Sequence, residues 1–378
     1  MELAPSLTEM LDDIRELIEC ESPSADLAAV ARSADVVARV GERRLGVAPE
    51  RIVLDGRTHL RWRLGSGTSR VLVLGHHDTV WPLGSLATHP CTVEDGVLRG
   101  PGCFDMLAGL VMAFHALTGL DGVTLLVTGD EELGSPSSRE LIEEEARLAE
   151  AALVLEASAD GGALKTERKG VSLYDVRAVG RAAHAGLEPE AGVNATVELA
   201  HQAIVVAGLG RPELGTTVTP TASRSGTTTN TVPAEGSFSV DVRVRTLEEQ
   251  DRVDAAMRGL RPVLPGAVLE VTGGPNRPPL EAAASAALFD RVRGLAVHLD
   301  LAEPTAAAVG GASDGNFTAG VGTPTLDGLG AVGGGAHADD EHVLVDELPG
   351  RTALLAALVA DLLAQPTNPV LTAGAARR

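Results

Sequence analysis

Cysteine is scarce in this chain: only Cys20, Cys91 and Cys103 occur. An odd number with no CxxC spacing excludes a disulfide framework and a zinc ribbon, and leaves reduced, mostly buried thiols as the expectation. Positive charge is scarce too, with 31 Lys and Arg against 52 Asp and Glu and a formal net charge of −21. Without a basic stripe, binding to a phosphate backbone works against long-range repulsion, so no nucleic-acid partner is expected. Long apolar runs are also missing. None approaches the roughly 20 residues that span a bilayer, so no membrane partner is expected. The stretch Met1–Glu21 lacks the basic start and apolar core of a signal peptide, and the expected location is the cytoplasm.

What is present is a globular composition, 44% hydrophobic and 22% charged, over 378 residues. That length suits two domains, or one large domain carrying an insertion. Leu7, Met10, Leu11, Ile14, Leu17 and Ile18 recur at helical spacing behind the capping-box pair Ser6 and Glu9, which predicts an amphipathic helix. A second helix is predicted from Asp26 toward Arg43. Short apolar runs then alternate with helical segments, as in an α/β fold.

Three of those runs end in potential ligands. Val71–Leu74 leads into Gly75-His76-His77-Asp78, Val123–Val127 into Gly129-Asp130-Glu131-Glu132, and Leu153–Leu155 into Glu156. In open α/β sheets the binding crevice lies outside the carboxyl ends of the strands, so residues far apart in sequence can converge there. From Lys169 to about Gly274 the pattern changes to strand, helix, strand, strand, helix, strand, which is a split βαβ arrangement. Gly273-Gly274-Pro275 with Pro278 and Pro279 reads as a linker back to the first domain, whose last helix is the Leu354–Leu363 stripe.

Oxygen and imidazole ligands are the usual set where zinc activates water, because they keep the ion Lewis acidic with a position open. His76 and Asp78 stand two apart. In an extended segment they face the same way, so His76 suits a ligand and Asp78 the group that orients its ring. Asp105 sits between Gly100-Pro101-Gly102 and an apolar helix, where it is either an ordinary N-cap or a carboxylate bridging two metals about 3.5–4 Å apart. Of the neighbouring acids, Glu132 is assigned as ligand and Glu131 as the base that moves a proton from water to the leaving amine. Gly333-Gly334-Gly335 gives a flexible approach to His337, while His342 reads as a surface histidine.

These segments resemble the metal-dependent deacylases and exopeptidases that include acetylornithine deacetylase, succinyl-diaminopimelate desuccinylase, aminoacylase and glutamate carboxypeptidase. They are Gly75–Val80, Gly102–Met106, Gly129–Glu132, Glu156 and Ala336-His337, and the likeness is greatest to the carboxypeptidase branch. The resemblance implies one metal held by His76, Asp105 and Glu156 and another by Asp105, Glu132 and His337. The ions would be zinc, with cobalt or manganese as alternatives. It further implies a mixed-sheet α/β catalytic domain of the di-metal exopeptidase type in two segments, 1–168 and 277–378. Between them stands a ferredoxin-like lid, 169–276, through which the chain forms a homodimer.

By the same resemblance, His184 reaches across the dimer to polarise the scissile carbonyl, and Asn230 and Arg243 contact substrate. Arg243 lies on the polar face of an alternating strand and suits a carboxylate clamp, or else an ion pair with Asp241. Leu107 departs from the lysine common in relatives, and Lys165 and Gly310–Asn316 resemble substrate-pocket elements. The expected reaction is hydrolysis of the amide of small N-acyl amino acids or peptides, releasing a glutamate-like C-terminal residue. Two other readings are a serine hydrolase built on Gly311-Ala312-Ser313-Asp314-Gly315 with Asp327 and His337, and a catalytically silent binding protein. The serine reading leaves Glu131, Glu132 and Glu156 without a purpose. The Gly328–Gly333 match to GxGxxG has no amphipathic helix after it and reads as a loop.

Overall fold

The computed structural model describes residues 6–366. Residues 1–5, the start of the Met1–Glu21 stretch, lie outside that span. The chain divides into two compact units. One comprises the chain through Glu167, Ala282–Val309 and the chain from Ser313 onward; the other comprises Arg168–Glu281 and Gly310–Ala312.

The first unit opens with the helix Leu7–Ile18, whose N-cap Ser6 accepts the N–H of Glu9. It buries Met10, Ile14, Leu17 and Ile18, each contributing about 1.5–3 kcal/mol. The same face buries Asp13, which bonds Arg43 Nη2 at 2.7 Å, Arg44 Nε at 2.6 Å and His115 Nε2 at 3.1 Å. The carboxylate thus ties the first helix to the helix Leu27–Leu45 and to the helix Ala108–Ala116. Asp26 caps the second helix by accepting the N–H groups of Ala28 and Ala29, both at 2.9 Å.

A six-stranded sheet forms the centre of this unit, in the spatial order Glu50–Leu54, Arg57–Leu64, Val123–Thr128, Val71–His76, Ala151–Val154, Thr325–Leu326. The first two strands are antiparallel additions, and the remaining four run parallel. Every residue of the three central parallel strands is buried. Covered on both faces, they appear in the sequence as continuous apolar runs instead of alternating ones. Since these three are neighbours and parallel, their carboxyl ends share one edge of the sheet.

The glycine run before His337 does not behave as a flexible approach. Gly333–Gly334 is a strand paired with Val343 and His342 in a second, antiparallel sheet. A Cβ on Gly333 would lie 2.0 Å from the His342 carbonyl oxygen, so close pairing of backbones requires glycine there. The final helix starts at Leu348, upstream of the leucine stripe, and runs to Ala364.

The second unit is a four-stranded antiparallel sheet in the order Thr217–Ser225, Glu235–Val244, Gly170–Val179, Val268–Arg277, with helices Ala195–Ala207 and Leu247–Arg258. In chain order this is the split βαβ pattern read from the sequence. The expected linker at Gly273–Pro275 is instead part of the last strand: Gly273 pairs with Tyr174 and Gly274 with Leu173, and the register shifts only after Pro275. Long-range pairing holds a segment that local turn chemistry would have broken.

Candidate metal centre

His76 is the last residue of its strand, opposite Thr128. Its Nδ1 lies 2.9 Å from the main-chain oxygen of Asp78 and 3.6 Å from the Asp78 carboxylate. Nδ1 therefore donates to that carbonyl, and Nε2 is the nitrogen that faces the carboxylates of Asp105 and Glu156, the one a metal would take in place of a proton. The expected orienting role of the Asp78 side chain is thus taken by its carbonyl. Its carboxylate oxygens instead accept the N–H groups of Glu131 and Glu132, each at 3.2 Å. His77 turns the other way, with Nδ1 on Ser33 and Nε2 on Thr58, and burial holds its pKa down at about 4.

Asp105 lies in a tight turn, Cys103–Leu107, that precedes the helix beginning at Ala108, and its side chain caps no helix. Its two oxygens face different histidines: Oδ1 is 3.4 Å from His76 Nε2 and Oδ2 is 3.2 Å from His337 Nε2. Glu156, two residues beyond its strand, brings Oε1 to 3.6 Å from His76 Nε2. Gly330 lets its own backbone pack against the main chain of this segment, because a Cβ there would fall 2.2 Å from the Leu155 main-chain oxygen and 2.8 Å from that of Glu156. Lys165 Nζ stands 4.0 Å from Glu156 Oε2.

Glu131 and Glu132 open a short turn just after the strand Val123–Thr128. Glu132 Oε1 is 3.2 Å from His337 Nε2, the same nitrogen that Asp105 approaches. Ligand atoms of His76, Glu131 and Glu156 lie within 4.8 Å of one another, as do those of His76, Asp105 and Glu132. Asp130 stands apart from this cluster. Its carboxylate takes the N–H and O–H groups of Ser137 and Ser138, which relieves part of the acidic run by hydrogen bonding.

The electrostatics are those of a cation cradle. The Asp105 and Glu132 carboxylates pull the His337 imidazole up to about 10. Burial opposes charge on His76, yet Asp105, Asp78 and Glu156 outweigh it and raise its pKa well above the usual range. Glu132 is pushed up by burial. His76 Nε2 and Asp105 Oδ1 are buried with no hydrogen-bond partner among the described residues, a costly arrangement unless a ligand completes it. The donors fit a divalent ion.

The remaining predicted residues belong to the second unit. His184 is exposed, and its Nδ1 accepts the N–H groups of Gly186 and Leu187, both at 3.1 Å. Nε2 is therefore the ring's N–H donor. The segments of His184 and Asn230 are joined by the Ala185 N–H, which donates to the Asn230 oxygen at 2.9 Å. Arg243 is paired with Asp241 through two bonds of 2.9 Å.

The serine-hydrolase reading does not survive. Ser313 is fully buried, and its hydroxyl donates to Asp327 at 2.6 Å, with no imidazole among its hydrogen-bond partners in the described residues. His337 stands instead between Asp105 and Glu132. Sequence reasoning also passed over Glu341. Its carboxylate is buried against the Asp105 turn, yet nothing in the run Asp339-Asp340-Glu341 sets it apart from its exposed neighbours.

Carboxylates and imidazoles without a thiolate build a centre that activates water, and the class they define is that of the metallohydrolases. The model of Peptidase family M20/M25/M40 matches residues 72–361, and the chain belongs to that family. Carboxypeptidase G2 of Pseudomonas sp. (strain RS-16) is 32% identical over 314 residues, 79% of this chain and 75% of that one. The structure of aminopeptidase PepT from Bacillus cereus ATCC 10987 superposes with a TM-score of 0.73 at 22% identity, over 95% of this chain and 99% of that one. The YXEP protein of Bacillus subtilis, a dinuclear metal binding peptidase from the M20 family, gives 0.65 at 16% identity, over 94% and 98%. At those identities the structural likenesses speak for the fold alone. By family, the chain is a metal-dependent hydrolase of amide bonds.

Proposed function

We propose that the enzyme works with two divalent ions, zinc before cobalt or manganese, to release a C-terminal, glutamate-like residue from small peptides or N-acyl amino acids. His76, Asp105 and Glu156 would hold one ion and Asp105, Glu132 and His337 the other. The observation that carries the reading is Asp105, whose two oxygens face His76 at 3.4 Å and His337 at 3.2 Å. Bound there, the ions supply the Lewis acidity that activates water and polarises the scissile carbonyl.

The chain's own residues supply the rest. Glu131 takes the proton from the attacking water and returns it to the departing amine. Asp78 holds the main chain of Glu131 and Glu132 in place while its carbonyl fixes the His76 tautomer. His184 of the partner subunit donates its Nε2–H to the carbonyl oxygen. Arg243 exchanges Asp241 for the substrate's free carboxylate, and Asn230 contacts the same substrate. Support for a homodimer through the second unit comes from its edge strand Thr217–Ser225 and from Ile204 and Val205, exposed at 75% and 48%. Among the described residues no helix is long and apolar enough to cross a membrane.

Elemental mass spectrometry of gently purified protein, joined to an assay on an N-acyl glutamate and its amidated analogue, tests the reading. About two ions per chain and turnover of the free acid alone are expected. Fewer than two ions, with no gain of activity on adding metal, would overturn the di-metal reading; equal turnover of the amide would overturn the carboxylate preference.

A further inference from the structure

The turn that carries Asp105 has main-chain N–H groups with no strand or helix to receive them. One carboxylate collects them: Glu341 Oε1 accepts Phe104 N–H at 2.9 Å and Asp105 N–H at 3.0 Å, and Oε2 accepts Gly102 N–H at 3.0 Å and Trp81 Nε1–H at 2.6 Å. The residue is 3% exposed. Both oxygens are thus fully engaged with donors, which only an acceptor-only side chain can satisfy.

Glu341 also closes the turn that follows His337, since its N–H donates to Ala338 at 3.0 Å and the Ala338 N–H donates to Gly335 at 2.9 Å. One side chain, 236 positions from Asp105 in sequence, therefore joins the segment bearing Asp105 to the segment bearing His337. These two segments supply two of the three ligands proposed for the second ion. The first ion's other ligands, His76 and Glu156, come from strand ends that Glu341 does not touch in any hydrogen bond described for it.

We propose that Glu341 is a positioning residue for the metal centre, setting Asp105 and His337, so that its loss weakens the second ion, which takes two of its three ligands from these segments, more than the first, which takes one. The inference rests on the di-metal reading. Its mechanism is hydrogen bonding to the main chain of a ligand, the outer support that commonly tunes metal affinity by about 10–100-fold. Glu341→Gln keeps the shape but sets an amide NH2 against two N–H donors, so it is the sharp test. Trp81→Phe removes a single donor from Oε2 and is the milder one.

Metal-free protein is titrated with zinc against a competing chelator, and the affinities of the two steps are read separately for wild type, Glu341→Gln, Trp81→Phe and His337→Ala. For Glu341→Gln the step that His337→Ala weakens should drop about 10- to 100-fold, and the other step by a smaller factor, since Asp105 is shared by both ions. Trp81→Phe should weaken the same step by a smaller factor. If Glu341→Gln does not fold, Trp81→Phe decides. Two unchanged steps in every folded Glu341 or Trp81 variant, or equal weakening of both steps, would overturn the positioning role and leave the di-metal reading standing. A wild type that binds fewer than two ions would overturn both.

Discussion

The carboxylate of Asp78 accepts the main-chain N–H of Glu131 at 3.2 Å, and the carbonyl of the same aspartate receives His76 Nδ1 at 2.9 Å. One residue thereby joins two adjacent strand ends, holding the ring of the proposed ligand with its backbone and the main chain of the proposed base with its side chain. Asp78 is fully buried. Asp78→Asn keeps the size but offers one acceptor oxygen to two N–H groups. It should lower kcat/KM by about 10- to 100-fold without unfolding the protein, as steady-state kinetics with circular dichroism will show; wild-type kinetics would count against the linkage.

Removing the proposed base should separate chemistry from metal binding. Glu131→Ala should lower kcat by about 100- to 10,000-fold, the usual contribution of general base catalysis, with the metal content of the purified protein unchanged. Loss of an ion together with activity would instead make Glu131 a ligand, a role its closeness to His76 and Glu156 permits.

Arg243 spends its guanidinium on Asp241 in the free protein. If it trades that partner for a substrate carboxylate, Arg243→Ala should raise KM for free-acid substrates by about 10- to 100-fold, the worth of a charged hydrogen-bonded pair. KM for amidated analogues should stay level. A uniform change in both would remove the clamp.

Asp13 carries a prediction about stability. Burial raises its pKa, but hydrogen bonds from His115, Arg44 and Arg43 outweigh burial and hold it well below the usual carboxylate range. A depressed folded pKa means the unfolded chain takes up the proton first as pH falls. The contribution is therefore complete above about pH 4, the ordinary aspartate value, and is lost progressively below it. Breaking such a buried pair by Asp13→Ala should cost about 3–5 kcal/mol at neutral pH. Denaturant melts at pH 7 and pH 3 will check it, since the gap between wild type and variant should narrow at the lower pH.

The sequence alone determined the ligand chemistry and the order of elements. The apolar runs ending at His76, Glu131 and Glu156 were legible because buried parallel strands need continuous apolar side chains, and the six-element pattern of the second unit was legible from its alternation and helical spacing. Local signals failed where a distant partner decided the outcome. Gly273–Pro275 is strand because Leu173 and Tyr174 pair with it, the Gly333–Gly334 run is a strand because His342 and Val343 do, and Asp105 leaves helix capping for a place between two histidines. Glu341 and Asp13 gave no sign of burial, since what each accepts comes from segments remote in the chain. Residue types and their periodicity are properties of the chain, whereas hydrogen-bond partners and the two faces of a carboxylate exist only once the strands have paired.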